Sequence, residues 1–225
     1  MNKTVWDNIK QATLSQPVPT EIYLPAGDSS KIVQFDGVLR VKKKPYIHFR
    51  LVGHDQILKE IKVGQIALIN TDPIDGNFFS AAIIEHIAPG GVLLRLYDEK
   101  RGPLRVDAEC PVEMTFFTID QEKEDYEKHL QIRVGKTLNI SKEGILVNSD
   151  LPMPVGITVV SKIFIDEHST PIMVTSKVLR CEENISNSYH VALEPIYCSS
   201  QELEKIEHFC LVQKCRQLQS SEIEI

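Results

Sequence analysis

The stretch "GVLLRLYDEKRGPLRVDAECPVEMTFF", residues 91–117, decides how the chain is read. Its left end, "GVLLRLYD", is a short run rich in apolar and β-compatible side chains, and its right end, "PVEMTFF", is another. Between them lies "KRGPLRV", residues 100–106, where Gly102 and Pro103 stand side by side and interrupt both runs. The chain therefore changes module near residues 97–100. Arg101 and Arg105 sit four apart across a Gly-Pro pair, which fits no ordinary helix. Two readings stay open at this point: a solvated turn between strands, or a flexible double claw for something anionic.

Outward from that junction the same texture repeats on both sides. Upstream, "TEIYLP", "KIVQFDGVLRV", "PYIHFRLVG", "QIALINT", "NFFSAAIIEHIA" and "GVLLRLYD" are separated by turn chemistry such as "AGDSS", "DPIDGN" and "APGG". A short helical segment, "HDQILKEIK", is expected among them. Downstream, "RVDAECPVEMTFFTI", "LQIRVGKTLNI", "GILVNS", "ITVVSKIFI", "IMVTSKVLRC" and "YHVALEPIY" form a second series, with the charged "DQEKEDYEKH" as a protruding hairpin loop. Six or so strands at this spacing suggest a small antiparallel barrel or sandwich in each half. The expected fold is thus all-β: two consecutive small antiparallel β-barrels over residues 18–97 and 98–225.

A helix is expected at each end. Residues 1–17 offer Val5, Trp6, Ile9 and Leu14 as an apolar stripe, and "PVP" stops it. At the other end "SSQELEKIEHFCLVQKCRQLQ" has a serine cap, acids in its first turn, Lys214 and Arg216 in its last turn, and Leu203, Ile206 and Cys210 on one stripe. That is the pattern of a helix laid on a sheet.

Composition narrows the function. The chain has 225 residues, 42% hydrophobic and 25% charged, and carries 31 acids against 25 bases for a net charge of −6. Acidity argues against a nucleic-acid polymer as main partner. No run approaches the roughly 18 apolar residues of a membrane span, so membrane insertion is not expected. The N-terminus lacks the apolar core of a secretory signal, and a cytoplasmic location is expected.

Enzyme chemistry finds little footing, and no cofactor is expected. The seven histidines (His48, His54, His86, His129, His168, His190, His208) show no metal-binding spacing. The five cysteines (Cys110, Cys181, Cys198, Cys210, Cys215) never form a CxxC pair, so neither a disulfide framework nor a zinc site is expected. The basic stretch "RVKKKPYIHFR" reads as a solvated hairpin turn before it reads as a docking site for an acidic partner.

The second feature is "LNISKEGILV", residues 138–147, which sets Asn139, Ser141 and Gly144 in the pattern N-x-S-x-x-G. By itself it describes an Asx or Ser turn with a glycine at positive φ. Together with R-x-x-x-R at Arg101 and Arg105 it resembles the double signature of PilZ domains, bacterial receptors for cyclic di-GMP. The resemblance covers roughly residues 99–220 and extends to "LPMPVGITVVSKIFI", "VLRC…SYHVALEPI" and the terminal helix. Two departures stand out: Asn139 where aspartate is commoner, and Ala192 where a glycine is usual. The gap between the motifs is long, and the acidic stretch at 120–129 accounts for it.

The resemblance implies a non-enzymatic cyclic di-GMP receptor that binds the dinucleotide at the interdomain junction, with Arg101, Arg105, Asn139, Ser141 and Gly144 as binding residues and Lys100 adding positive charge beside them. The residue types suit that ligand. An arginine fork binds phosphate bidentately, matches the O6 and N7 of guanine and stacks on a base. Asn139 and Ser141 can bond to a base or phosphate, and Gly144 lets the backbone approach the ligand closely. Residues 18–97 are similar in architecture to the β-barrel that precedes PilZ in flagellar-brake-type proteins. That likeness implies signalling by domain reorientation to a protein partner, with an output in motility, polysaccharide or virulence. A PilZ-like adaptor that binds no nucleotide is the competing expectation. Self-association is open through either terminal segment, 1–17 or 199–225.

Overall fold

A computed structural model of the chain describes residues 18–25, 32–43, 45–52, 61–71, 78–98, 104–119, 128–166 and 169–221. The helix expected over 1–17, most of the helical segment at 54–62 and the charged tip at 120–127 lie outside the described residues. The chain divides into two compact units, residues 1–104 with 211–225, and residues 105–210. Apart from one helix, the described elements are all strands.

The first unit contains β1 (Val18–Pro25), β2 (Ile32–Lys43), β3 (Tyr46–Leu51), β4 (Ile66–Thr71), β5 (Phe78–Ala88) and β6 (Gly91–Asp98). They close into an antiparallel barrel in the order β1-β2-β3-β6-β5-β4. Closure leaves no free sheet edge, and alternate side chains fill the interior. Ile22, Leu39, Ile47, Phe49, Ile69, Ile84 and Leu94 form that core, none more than 2% exposed. The tight β5–β6 turn explains "APGG": Pro89 leads and Gly90 follows at φ +78°, a conformation that only glycine adopts cheaply.

Strand β4 is buried at every position. Its Ala67 and Ile69 belong to the barrel core, whereas Ile66 and Leu68 pack with Tyr23, Phe79, Leu211, Cys215 and Leu218 outside it. Leu211, Cys215 and Leu218 come from the helix α1 (Ser200–Ser221), so this outer face of the barrel is covered by a helix rather than by water. Burying a leucine completely is worth roughly 1.5–3 kcal/mol, which is the reason an "IALIN" run is apolar on both faces.

The second unit contains β7 (Arg105–Asp107), β8 (Pro111–Ile119), β9 (Lys128–Ser141), β10 (Gly144–Ser149), β11 (Thr158–Ile163), β12 (Ile172–Glu183) and β13 (Tyr189–Tyr197). Six of them close as β9-β10-β13-β12-β11-β8, and β7 is an additional short strand on β9. Val112, Met114, Ile140, Val147, Ile163, Ile172, Val174, Val178 and Leu193 are fully or almost fully buried, and strict alternation along β10 and β11 shows the period of two.

Helix α1 differs in two respects from the sequence expectation. It is capped at its start as expected: the Glu202 amide donates to Ser199 Oγ, and the Leu203 amide donates to the Ser199 carbonyl. It then runs to Ser221, so no basic residue occupies its last turn. Lys214 and Arg216 lie further back because Leu218 is still packing against the first barrel. Residues 211–221 accordingly group with the first unit instead of remaining with the second.

Candidate functional site

The site is built on three adjacent strands of the second unit. Strand β7 pairs with β9 in the register Arg105↔Ser141, Val106↔Ile140 and Asp107↔Asn139. On the other side of β9, β10 pairs as Gly144↔Ser141, Ile145↔Ile140 and Leu146↔Asn139. Directly opposed residues of an antiparallel pair share a face. Val106, Ile140 and Ile145 turn into the core, each 2% exposed or less. The outward face therefore carries one row of Arg105, Ser141 and Gly144, and a second row of Asp107, Asn139 and Leu146. The second row continues to Ala192 of β13 and Arg180 of β12.

This register joins residues that are far apart in sequence. The Arg105 Nη2 lies 3.9 Å from the point where a Cβ on residue 144 would stand. Arg105 is exposed, so its guanidinium projects over the β9–β10 turn into solvent. Asn139 is half-buried beside it in the next row, and its side chain makes no hydrogen bond to another described residue. An exposed guanidinium next to a free amide is a donor-rich surface suited to an anion with polar edges.

Ser141 forms the serine turn that its motif describes on its own. It is completely buried, and its Oγ accepts from the Gly144 amide at 3.0 Å while its hydroxyl donates to the Gly144 carbonyl at 3.0 Å. Both capacities are used inside the turn, so Ser141 shapes the platform under Arg105. Gly144 departs from the simplest turn reading, because its φ is not positive. Its missing side chain leaves open space: a Cβ there would meet Leu193 O at 3.5 Å and Arg105 at 3.9 Å, both ordinary contacts. Lys142, inside the turn, reaches Glu207 of helix α1 at 3.5 Å.

Two positioning residues escaped the sequence reading. The first is Thr137, fully buried on β9. Its Oγ1 accepts from the Cys110 amide at 2.9 Å and donates to the Ala108 carbonyl, while its own amide donates to the Cys110 carbonyl at 2.9 Å. These bonds clamp the Ala108–Cys110 break between β7 and β8 and so fix where Arg105 stands. The second is Leu138, which bulges: Leu146 pairs with Asn139, but Val147 pairs with Thr137. A bulge re-aims the residues beyond it, here Asn139 and Ser141. Nothing in composition marks it.

Lys100 and Arg101 lie outside the described residues, so the structure brings together Arg105, Asn139, Ser141 and Gly144 of the expected set. The departure at Ala192 sits in the second row, half-buried between Leu146 and Arg180. Arg180 itself is exposed and within 3.3 Å of Glu182. Among the described residues no group of three or more His, Cys, Asp or Glu side chains could hold a metal ion. Burial pushes the Cys210 thiol up to about 12, with Glu207 and Cys110 adding to the effect, and burial does the same for Cys215. Neither is a nucleophile at neutral pH.

In the first unit the basic hairpin is also outward-facing. Arg40 stands opposite His48 and Arg50 opposite Val38. Partial burial lowers the His48 pKa, and the charges of Lys42, Arg40 and Arg50 lower it further.

No family model and no curated protein sequence matches the chain. Among solved structures, the Bacillus subtilis inhibitor of motility MotI/DgrA aligns over 90% of this chain and 97% of its own, with 15% identity and a TM-score of 0.40. MrkH of K. pneumonia in complex with c-di-GMP aligns over 95% and 94%, with 13% identity and a TM-score of 0.37. YcgR of Escherichia coli in complex with c-di-GMP aligns over 98% and 94%, with 10% identity and a TM-score of 0.36.

Proposed function

We propose that this chain is a receptor for cyclic di-GMP, which it holds on the outward face of the second barrel over β7, β9 and β10. One observation carries the reading. The registers of β7 and of β10 on β9 set Arg105, the last arginine of R-x-x-x-R, beside Gly144 of N-x-S-x-x-G, which supports one binding surface built from both motifs.

Each residue then has a task. Arg105 supplies a planar cation for a phosphate or for the O6 and N7 of guanine. Arg101, four residues earlier and separated by Gly102 and Pro103, supplies the second arm of the claw, and Lys100 adds charge. Asn139 offers an amide to a guanine edge. Ser141 holds the turn, and Gly144 leaves room for the nucleotide to lie against the backbone. A compact dianion needs such local cationic recognition and is not excluded by an acidic protein overall, because screening confines the field of distant charges to about 10 Å.

The signal passes to a protein partner through ligand-dependent reorientation of the two modules. A ligand drives such a change only by binding one arrangement more tightly than the other. No catalytic step is assigned to the site.

Thermal unfolding with and without ligand tests the reading. At 100 times the dissociation constant, cyclic di-GMP stabilises the folded protein by about 2.7 kcal/mol. For a protein of this size each kcal/mol moves Tm by roughly 2–4 °C, so the midpoint should rise by several degrees. GTP at the same concentration should leave it unmoved. No shift at millimolar cyclic di-GMP refutes the receptor reading and favours the adaptor that binds no nucleotide.

A further inference from the structure

The first barrel carries a charged face that the site on the second barrel does not use. Strands β2 and β3 set Arg40 directly opposite His48 and Arg50 opposite Val38. Arg40, Arg50 and Lys42, which lies at the bulge after Val41, are exposed, and His48 is half-buried. Helix α1 covers the side formed by β1, β4 and β5, and no β3 residue packs beneath it.

These groups lack a counter-charge. Among the described residues none of the four makes an ion pair. Acids on the same barrel serve other partners: Glu85 holds Arg95, Glu21 accepts from Tyr23, Asn70 and Gln34, and Asp36 accepts from Gln34. Arg40 and Arg50 are diagonal neighbours, a separation of about 7–8 Å at which like charges still repel. Lys42, Arg40 and Arg50 all depress the His48 pKa, so three cations surround one ring. A cluster that repels itself within the fold is accounted for when the neutralising charge comes from another molecule.

The face suits an extended occupant. The His48 ring reaches toward β6, where a Cβ on Gly91 would stand 3.2 Å from both its Cε1 and its Nε2. Half-buried Val38 and Leu93 lie between the charged groups, and Tyr46 is 37% exposed beside them. Along one strand, side chains of one face recur every two residues, or about 6.6–6.8 Å. His48 and Arg50 follow that repeat, and so do alternate side chains of any extended peptide laid along them.

We propose that this face docks an acidic segment of a partner protein, extended along β2 and β3 with aspartates or glutamates at alternate positions. Two arginines and a tyrosine beside small apolar surfaces are the residue types that anchor protein interfaces. An arginine fork also takes a carboxylate bidentately.

The distribution of charge favours a short acidic segment over a long polyanion. Residues 105–210 hold 18 acids and 10 bases, whereas residues 1–104 with 211–225 hold 13 acids and 15 bases. A nucleic-acid strand or a lipid surface meets the field of the whole chain, whose net charge is −6. A few carboxylates seated among Arg40, Lys42, His48 and Arg50 feel mainly the charges within about 10 Å. The docking surface serves the protein partner of a receptor and does not depend on nucleotide binding.

Fluorescence polarisation of a labelled peptide of alternating glutamate and threonine, titrated with the full chain without nucleotide, tests it. The expected result is saturable binding at about 20 mM salt that weakens at least tenfold at about 200 mM. The double variant Arg40→Gln/Arg50→Gln should bind at least tenfold more weakly with no fall in Tm, because both side chains are exposed. Lys177→Gln, at an exposed cation of β12, should leave binding intact. No binding at low salt overturns the proposal, and so does binding that survives in the double variant. Tighter binding of an oligothymidylate, or of phosphatidylserine vesicles, through the same two arginines also overturns it.

Discussion

Replacing Gly144 by alanine separates folding from binding more cleanly than removing a charge does. The new methyl would sit 3.5 Å from Leu193 O and 3.9 Å from Arg105 Nη2, ordinary van der Waals distances, and the backbone φ there needs no glycine. Alanine also restricts the unfolded chain, which stabilises a compatible site by about 0.4–1 kcal/mol. Gly144→Ala should therefore keep or slightly raise Tm. Binding should respond in the opposite direction, because the methyl occupies the space between the turn and the Arg105 guanidinium where the nucleotide is proposed to rest. Crowding a fitted contact by one methyl costs about 1–3 kcal/mol, or roughly 5- to 150-fold in affinity. Calorimetric titration and a thermal melt on the same sample measure both. Unchanged affinity for cyclic di-GMP would mean that the ligand does not lie over Gly144. A fall of several degrees in Tm would mean that the turn is not open as described.

Three further outcomes are expected. Thr137→Val keeps the shape but removes the oxygen that serves the Cys110 amide and the Ala108 carbonyl. Urea unfolding should show a loss of about 1–3 kcal/mol, and cyclic di-GMP affinity should fall although Thr137 touches no ligand. Stability should also fall between about pH 9 and 12, since Cys210 and Cys215 stay protonated when folded but ionise near 9 when unfolded. Protons are then bound more tightly by the folded state, so each thiol contributes a slope of up to about 1.4 kcal/mol per pH unit there and none below pH 8. Denaturant midpoints that stay flat from pH 8 to 11 would contradict the burial of both thiols. Finally, Leu218→Ala should cost about 2–3 kcal/mol by emptying its place against β4, read as a lower urea midpoint.

Most of the strand set was legible because a half-buried strand alternates, and the twelve apolar runs separated by Gly, Pro, Asp and Asn turns map onto β1 to β13. The one merged run, "RVDAECPVEMTFFTI", splits into β7 and β8 because Thr137, distant in sequence, bonds to Ala108 and Cys110. Long-range clamps of this kind leave no local trace. What helix α1 packs against was hidden for a similar reason, since Leu211, Cys215 and Leu218 lie on a surface formed by Tyr23, Ile66 and Phe79, all distant in sequence. Strand β4 gave a warning in its unbroken apolar run, but a run of that length does not say what covers its second face.

Legibility at the site followed the same division. Residue types and order pointed to Arg105, Asn139, Ser141 and Gly144, and the strand register placed them on one face. The individual roles of Ser141 and Gly144 depended on atomic surroundings, namely a hydroxyl used twice within its turn and a glycine valued for space instead of φ. The apolar outward face of β9, where Leu130, Ile132 and Val134 are all more than half exposed, was present in "LQIRV" from the start, but alternation alone cannot tell which of its two faces points outward.

Calorimetric titration of cyclic di-GMP into the full chain and into Arg105→Ala decides whether the ligand rests on this face. Arg105 is exposed, so its removal should leave the fold and Tm unchanged. The wild type should bind saturably, with micromolar or tighter affinity, and the variant should lose at least tenfold. Binding that is equally tight in both would place the ligand elsewhere and contradict the site described on β7, β9 and β10.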